Sequence, residues 1–308
     1  MMERRKFIRN LGLGGIASAM VGAGSIPVFG TEKSFKTTAF NLDYAPHFGM
    51  FKAHAGDDLV DQLKFMADQG FRSLEDNGLL GRSVSDQEKI GRTLDQLGMR
   101  MGVFVIDGGD NWKISLTTGK DEFVKTFIDT CKKSVETAKR VNAQWATVVP
   151  GFYERKLPIG IQTGNVIEAL KRGAEILEPH GLIMVLEPLS DTPDLFLRYS
   201  DQTYSICKAV GSPSCKILYD AYHMQRNEGN LIANMENAWD EIAYFQIGDN
   251  PGRNEPGTGE INYQNVFKYL NEKGFKGVAG MEHGNAKPGK DGELALIEAY
   301  KKADNFKV

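Results

Sequence analysis

The chain alternates short apolar runs with amphipathic stretches along most of its length, beginning at Thr37. The apolar runs predict buried strands because each is short and ends at Gly, Pro or polar residues. In chain order the eight runs read TAFNLDYA, RSLED, MRMGVFVI, QWATVVP, LIMVLEP, CKILYDA, IAYFQIG and GVAGME. Most of them are continuously apolar, which is typical of parallel strands that are covered on both faces.

The stretches between the runs predict helices. In the longest stretch, apolar side chains recur every three or four positions and line one helical face; they are Phe123, Phe127, Cys131, Val135 and Ala138. The predicted helices cover residues 57–69, 83–97, 120–141, 164–180, 201–210, 230–239, 263–273 and 292–304. Several of them stop at a glycine, and Asp201 is the expected N-cap of the fifth.

Eight strand–helix units predict an α/β fold, a (β/α)8 TIM barrel. A doubly wound open sheet is the alternative, which counting alone leaves open. The glycine fingerprint of a dinucleotide site is absent after the first strand, and this disfavours the open sheet. In barrel enzymes the site lies at the C-terminal ends of the strands, so polar residues at those ends are the first candidates for chemistry.

The composition is that of a globular protein with one large core. The chain has 308 residues, of which 41% are hydrophobic and 25% are charged. Its formal net charge is -3, so no basic surface indicates a nucleic-acid partner. Cys131, Cys207 and Cys215 lack metal-ligand spacing and are expected to be buried or free thiols. The composition is compatible with a homo-oligomer.

The N-terminus resembles an export signal. Arg4 and Arg5 precede a Gly- and Ala-rich apolar run that ends at Phe29, an order typical of a twin-arginine signal. We expect residues 1–30 to be this signal and residues 31–308 to be a single catalytic barrel. The protein is then exported, to the periplasm, and it stays in the cytoplasm if the signal is not functional. The run is too Gly-rich to predict a membrane span, and an uncleaved anchor is the alternative.

Four polar side chains stand at the C-terminal ends of the fifth to eighth predicted strands: Glu187, Asp220, Gln246 and Glu282. A buried carboxylate is costly unless something pairs with it, and one divalent cation is the simplest partner for all four. Their ligand atoms are oxygens, which favours Mg²⁺ or Mn²⁺ over Zn²⁺. Each residue alone is better explained by a loop contact, a surface ion pair or a helix cap, but their equivalent positions together favour one metal site.

Further candidates lie near these strand ends. His223, three residues after Asp220, can polarise a substrate oxygen or act as an acid if the chain turns there; a histidine held by loop backbone is the alternative. Arg253 and Glu255 lie in the loop segment GDNPGRNEPGTGEINY. Arg253 suits a carboxylate or a hydroxylated substrate, although a solvated charged loop is the alternative. Three other candidates for substrate binding end or follow the first three strands: His47, Glu75 and Trp112.

Three segments carry a resemblance to a known family. They are LEP with Glu187, YDAYHMQRNEGN with Asp220 and His223, and FQIGDNPGRNEPGTGEINY with Gln246 and Arg253. Together they resemble the hydroxypyruvate isomerase family of the xylose isomerase-like TIM barrel superfamily. The resemblance covers roughly residues 36–304, and it implies the barrel fold, which supports the prediction from the strand–helix count.

The resemblance also implies a mechanism. In the family two glutamates flank the reacting carbons of a metal-bound hydroxycarbonyl substrate, and Glu187 and Glu282 correspond to this acid/base pair. The divalent metal and a neighbouring donor, here His223, are expected to stabilise the enediolate oxygen. The expected reaction interconverts hydroxypyruvate and tartronate semialdehyde, or acts on a related small hydroxycarbonyl compound or sugar.

The chain departs from the family pattern at two strand ends. Asp-Asn-Gly follows Glu75 in place of an aromatic-rich stretch, and His-Gly-Asn follows Glu282 in place of an aromatic and a basic residue. A basic group for a substrate carboxylate is therefore missing after Glu282. The alternatives are a ketose 3-epimerase or a keto-sugar lyase on the same barrel, and a non-catalytic sugar-binding protein. Five scattered histidines on an acidic chain disfavour a nuclease.

Overall fold

In the computed structural model, which describes residues 40–306, eight parallel strands form a ring. The strands are β1 (Tyr44–Ala45), β2 (Ser73–Leu74), β3 (Arg100–Met101), β4 (Trp145–Val148), β5 (Ile183–Leu186), β6 (Cys215–Asp220), β7 (Ile242–Gln246) and β8 (Ala279–Gly280). Six of them pair directly in the order β1–β8–β7–β6–β5–β4, and β2 pairs with β3.

Single-residue bridges join these two groups of strands. His47 bridges to Glu75 between the first and second strands, and Val105 bridges to Thr147 between the third and fourth. The second junction is bonded in both directions, since the Thr147 N–H donates to the Phe104 carbonyl at 2.8 Å and the Thr147 carbonyl accepts in turn. The ring therefore closes, which confirms the predicted barrel and rules out the open doubly wound sheet.

The helices follow the strands around the barrel: α1 (Lys52–Ala55), α2 (Leu59–Asp68), α3 (Val84–Leu97), α4 (Asp121–Val141), α5 (Ile159–Leu177), α6 (Ser200–Val210), α7 (Ala221–Asn227), α8 (Leu231–Ala238), α9 (Tyr263–Glu272) and α10 (Gly289–Ala303). Polar side chains begin several of them. Asp58 accepts from the Val60 and Asp61 N–H groups at the start of α2, and Ser83 accepts from Asp86 at the start of α3. These caps satisfy N–H groups that have no partner inside the helix.

Helix starts were the least accurate part of the sequence prediction. The fourth predicted helix starts at residue 159 rather than 164, because the buried Gln162 accepts from the Glu154 N–H and donates to the Leu157 carbonyl, which anchors an extra turn. The predicted N-cap role of Asp201 is wrong. The helix begins one residue earlier, after Tyr199, and Asp201 accepts from the adjacent Gln202 N–H inside the first turn.

The helices α1 and α7 were not predicted. They have four and seven residues, which is too short to show a helical period. α7 matters for the site because it begins directly at the end of β6, where the sequence indicated only a turn.

The barrel interior is filled by side chains from seven of the eight strands or the residues beside them: Ala45, Val103, Trp145, Val185, Leu218, Tyr244 and Val278. Their neighbours along the strands, such as Leu186, Ile217 and Phe245, belong to the larger core between the strands and the helices. This alternation follows from the period of two in a strand. Because the interior is packed, the C-terminal strand ends are where a ligand can reach the barrel.

The predicted signal at residues 1–30 lies outside the described residues. In residues 40–306, no helix is both long enough and apolar enough to cross a membrane. Cys131, Cys207 and Cys215 are buried and free, as predicted.

Candidate active site

The four predicted metal ligands lie at the same end of the barrel. Asp220 is the last residue of β6 and is the register partner of Gln246, the last residue of β7. Glu187 directly follows β5, and Glu282 follows β8 by two residues. Parallel strands of a barrel end at one face, so residues that are far apart in sequence come together here.

Asp220 is fully buried and serves as the N-cap of α7. Its Oδ1 accepts from the Tyr222 N–H at 2.7 Å and from the His223 N–H at 3.4 Å. The cap begins the helix at the strand end, and the first turn brings His223 back so that its Nε2 is 3.5 Å from Asp220 Oδ2. The spacing Asp-x-x-His therefore places both side chains at one point.

His223 is also fully buried, and Ser190 supports its ring. Nδ1 is 2.8 Å from Ser190 Oγ and 3.2 Å from the Ser190 N–H. The backbone N–H can only donate, so Nδ1 is the acceptor and the neutral ring carries its proton on Nε2; the hydroxyl can also donate to Nδ1. Burial lowers the pKa of His223, and the charge of Asp220 opposes this shift. The ring is therefore neutral at physiological pH, with Nε2 directed at the carboxylates.

Arg253 lies at the centre of the cluster. Its Nη2 donates to Asp220 Oδ2 at 3.2 Å and to Glu282 Oε2 at 3.0 Å, and it is 3.1 Å from His223 Nε2. The guanidinium also lies over the Tyr222 ring, 4.9 Å from its centroid, a favourable cation–π contact. The side chain is 28% exposed, so it is within reach of a ligand as well as of the buried carboxylates.

The loop after β7 fixes the position of Arg253. The buried Asp249 accepts from three backbone N–H groups of this loop, those of Gly257, Gly259 and Ile261. A side chain at Gly259 would overlap the backbone of the loop, so only glycine allows the close approach. Arg253 itself has a φ of 51°, in the left-handed region that costs a non-glycine residue energy. The bonded loop maintains this conformation.

Glu187 and Glu282 face the same neighbours with different exposure. The Glu187 side chain is 8% exposed and that of Glu282 is 26% exposed. Burial raises the pKa of Glu187 well above its usual value, and the charges of Glu282 and Asp220 add to the shift. Burial raises the pKa of Glu282 to about 7, while Arg253 opposes the shift and Asp220 adds to it. Two carboxyl groups with raised pKa values at one end of the barrel suit acid/base chemistry.

Glu75 lies inside the barrel and binds Gln246. Gln246 Nε2 donates to Glu75 Oε1 at 2.8 Å, and the Tyr244 hydroxyl donates to Glu75 Oε2 at 3.0 Å. A Cβ on Gly280 would overlap Glu75 Oε2, so glycine at this position in β8 makes room for the carboxylate. Burial raises the pKa of Glu75, with Glu282 as the next cause. Glu75, which the sequence analysis assigned to substrate binding, is a buried partner of Gln246.

The donor set fits a divalent cation. Ligand atoms of Glu187, Asp220 and His223 all lie within 4.8 Å of one another. In addition, the buried Glu187 Oε1 and Gln246 Oε1 have no hydrogen-bond partner within residues 40–306, although buried polar atoms normally have one. Oxygen atoms dominate the set, with one imidazole nitrogen beside them, and such sets suit hard cations.

The other predicted substrate-binding residues are His47, Glu255 and Trp112. His47 Nε2 is 3.1 Å from the His283 carbonyl. Glu255 is buried and accepts from the Ala286 N–H at 2.8 Å, so it links the loops after β7 and β8. Trp112 is 54% exposed on the loop after β3. The contacts of His47 and Glu255 join loops around the site.

The structure adds three residues that the sequence analysis missed. Asp191 Oδ2 is 3.8 Å from His223 Nε2, Asn77 donates to Glu282 Oε1 at 2.9 Å, and Ser190 supports the His223 ring. Asp191 and Ser190 follow Glu187 closely in the sequence, and that proximity was the available signal. Asn77 follows Glu75 by two residues but gave no signal of its contact with the eighth strand end.

The chain is similar in sequence to known isomerases. The family model described as xylose isomerase-like TIM barrel matches residues 63–303. The chain is 37% identical over 147 residues to the hydroxypyruvate isomerase of Escherichia coli, an alignment that covers 47% of this chain and 55% of that protein. It is 26% identical over 258 residues to the 2-oxo-tetronate isomerase of Cupriavidus necator, with coverage of 82% and 95%. The chain thus spans about half of the first relative and nearly all of the second.

The fold is also found among solved structures. An AP endonuclease of family 2 from Brucella melitensis has a TM-score of 0.71 to this chain at 23% identity, and the match covers 84% of this chain and 99% of that one. At this identity the likeness concerns the fold alone.

Proposed function

We propose that this chain, which belongs to the xylose isomerase-like TIM barrel family, is an isomerase that moves a proton between adjacent carbons of a small hydroxycarbonyl compound, with hydroxypyruvate and tartronate semialdehyde as the nominal pair. The observation that carries the proposal is the pair Glu187 and Glu282, two carboxyl groups with raised pKa values around Asp220 and Arg253. The names of its relatives support the reaction class.

The proposed reaction assigns a separate task to each carboxyl group. Glu187, as the carboxylate, removes the proton from the hydroxyl-bearing carbon, and the C–H electrons form the enediolate. Glu282, whose pKa is raised to about 7, gives its own proton to the adjacent carbon. At the end the protonation states of the two glutamates are reversed, so water must reset them before the next turnover. A carboxylic acid with a pKa near the working pH suits this task.

The other residues act on the substrate oxygens. Arg253 Nη2 is a donor among the carboxylates, and it can bind an oxygen on which negative charge develops. His223 carries its proton on Nε2, the ring nitrogen that faces the carboxylates, because the Ser190 N–H donates to Nδ1. It can therefore give a proton to one substrate oxygen and accept one from the other, as the exchange of carbonyl and hydroxyl requires.

A divalent cation fits the donor set, and Glu187, Asp220, Gln246 and Glu282 would hold it with His223 beside them. When bound, it would add positive charge next to the substrate oxygens and so favour the enediolate. The oxygen donors favour Mg²⁺ or Mn²⁺ over Zn²⁺.

Proton exchange with solvent tests the proposal. The protein, supplied with Mg²⁺ or Mn²⁺, is incubated in deuterated water with hydroxypyruvate and with a panel of short ketoses, and NMR locates the carbon that gains deuterium. We expect deuterium at the carbon beside the carbonyl, together with the aldehyde product. If no carbon of any compound exchanges, while the compounds still bind, the protein is a binding protein and the proposal is wrong.

A ketose 3-epimerase is the second candidate. Glu187 and Glu282 follow β5 and β8, on different strands of the ring, and two carboxyl groups on opposite faces of one carbon would invert it. Deuterium at C3 of a ketose without an aldehyde product would identify this reaction.

A further inference from the structure

Asp191 lies on the open side of the site. It follows β5 in the loop after Glu187, its side chain is 38% exposed, and its Oδ2 is 3.8 Å from His223 Nε2. Arg253 and Glu282 are partly exposed as well, whereas Asp220 and His223 are fully buried. A ligand whose oxygens bind near His223 Nε2 therefore has Asp191 beside it, on the side that faces solvent.

The ionisable side chains around this point are mainly carboxyl groups. Asp191 joins Glu187 and Asp220 as carboxylates within 3.9 Å of His223 Nε2. Arg253 is the cation that contacts this group in the described part of the chain, and its Nη2 already donates to Asp220 and to Glu282. A ligand carboxylate would have to compete with these two partners for the guanidinium, and it would lie near Asp191.

The two polar side chains directly after Glu282, His283 and Asn285, provide no compensating positive charge. His283 is buried with its ring nitrogens at 2.8 Å from the Tyr300 hydroxyl and the Gly284 carbonyl, and burial lowers its pKa to about 4, so the ring is neutral. Asn285 Nδ2 donates to the Met50 carbonyl at 2.9 Å. Both side chains are neutral and bonded within the protein.

We infer that Asp191 sets the substrate preference of the proposed isomerase towards uncharged polyhydroxy carbonyl compounds and against α-keto acids. Its carboxylate accepts a hydrogen bond from a substrate hydroxyl, and it repels a substrate carboxylate in the same position. The inference rests on the proposed function and narrows its substrate class. On this inference, hydroxypyruvate is a poorer substrate than an uncharged compound of similar size.

Two compounds that differ at a single group test this preference. Hydroxypyruvate and dihydroxyacetone share the hydroxymethyl ketone, but the first has a carboxylate where the second has a second hydroxymethyl group. For each compound, kcat and KM of the isomerisation and the dissociation constant are measured with the wild type and with Asp191→Asn. The amide keeps the size of the side chain and a carbonyl oxygen, and it removes the charge.

The wild type should have the higher kcat/KM with dihydroxyacetone. Asp191→Asn should shift the ratio of the two kcat/KM values towards hydroxypyruvate by about tenfold or more, mainly through a lower KM for the acid, as expected when a charge repulsion is removed. Asp194→Asn is the matched control, because Asp194 lies on the same loop, is 46% exposed and pairs with Arg155. This control should leave the ratio unchanged.

The outcomes separate the two proposals. If the wild type prefers hydroxypyruvate, or if Asp191→Asn and Asp194→Asn change the ratio equally, the role of Asp191 is wrong while the isomerase remains. If neither compound exchanges a proton, the proposed function fails, and the ratio of dissociation constants still decides the role of Asp191. Matching melting temperatures of both variants and the wild type exclude a folding defect as the cause of any shift.

Discussion

Gln246 donates its amide N–H to Glu75 across the barrel, at 2.8 Å, and this contact orients the amide. With Nε2 engaged, the amide oxygen of Gln246 is left buried and has no hydrogen-bond partner in the described part of the chain. Glu75 cannot rotate freely because its other oxygen accepts from the Tyr244 hydroxyl. Glu75 thus determines which atom of Gln246 is available to a cation, although no step of the proposed reaction uses Glu75 itself.

Exchange of Glu75 for glutamine should weaken metal binding. In Glu75→Gln an NH₂ group replaces one carboxylate oxygen, so it faces another donor, either the Gln246 amide or the Tyr244 hydroxyl. Where it faces Gln246, the Gln246 amide can rotate to avoid donor against donor, and this turns its oxygen away from the cation site. We expect the affinity for Mn²⁺, measured by isothermal titration calorimetry, to fall by about 10- to 100-fold, as for other residues that orient a metal ligand. Glu168→Gln, exposed on α5, is the control. Equal affinities in both variants would show that Glu75 does not orient the ligand.

Loss of either acid/base glutamate should abolish most turnover without unfolding the barrel. Glu187→Gln and Glu282→Gln each remove a group that moves a proton, so kcat should fall by about 10²- to 10⁴-fold. Deuterium exchange distinguishes the two variants. Glu282→Gln lacks only the acid that returns the proton, so it can still exchange the substrate proton with solvent. Glu298→Gln, exposed on α10, is the matched control. Near-normal kcat in both site variants would contradict the assignment.

Asp249→Asn should loosen the loop that holds Arg253. The carboxylate accepts from three N–H groups, and an asparagine NH₂ turns at least one of these contacts into donor against donor. We expect the free energy of unfolding to fall by about 1–3 kcal/mol and kcat/KM to fall with it, measured by urea titration and by steady-state kinetics. Asp129→Asn, an exposed carboxylate in the middle of α4 whose ion pair lies at the surface, should change both by much less. An unchanged unfolding midpoint for Asp249→Asn would disprove the anchoring role.

Because the thiols are buried, we expect the stability of the folded chain to depend on pH. Burial raises the pKa of Cys131 to about 12, whereas an exposed thiol titrates at about 8.5. Between these values the unfolded chain has lost the proton that the folded chain keeps, so stability decreases as the pH rises through this window. At about pH 9, iodoacetamide should label the native protein slowly and the urea-unfolded chain at all three cysteines. Rapid labelling of native Cys131 would refute this.

Much of the fold could be predicted from local patterns. The eight apolar runs coincide with the eight strands, and most helices lie where the apolar period places them. The start of α5 was missed because Gln162, a polar residue, holds its first turn through contacts that no periodicity encodes. α7 was missed because its seven residues are specified by the Asp220 cap rather than by a repeating apolar face.

The site was predictable where position along a strand determines geometry. Glu187, Asp220 and Gln246 are placed by the strands that they end or follow, and strand ends can be read from sequence. The contact of Gln246 with Glu75 could not be predicted, because the two residues are 171 positions apart and meet only once the ring closes. Asp191 was missed because it stands in a loop, whose path depends on tertiary contacts.

The two oxygens of the Asp220 carboxylate make different contacts: one caps the start of α7, and the other accepts from Arg253. Variation at this position is therefore constrained, because a change that adjusts the chemistry also releases the helix that carries His223. Asp191 lies in the loop after β5, where it neither ends a strand nor caps a described helix. We therefore expect substitutions of Asp220 to disturb the reaction and the local fold together. Substitutions of Asp191 can change which substrates are accepted while the barrel stays intact.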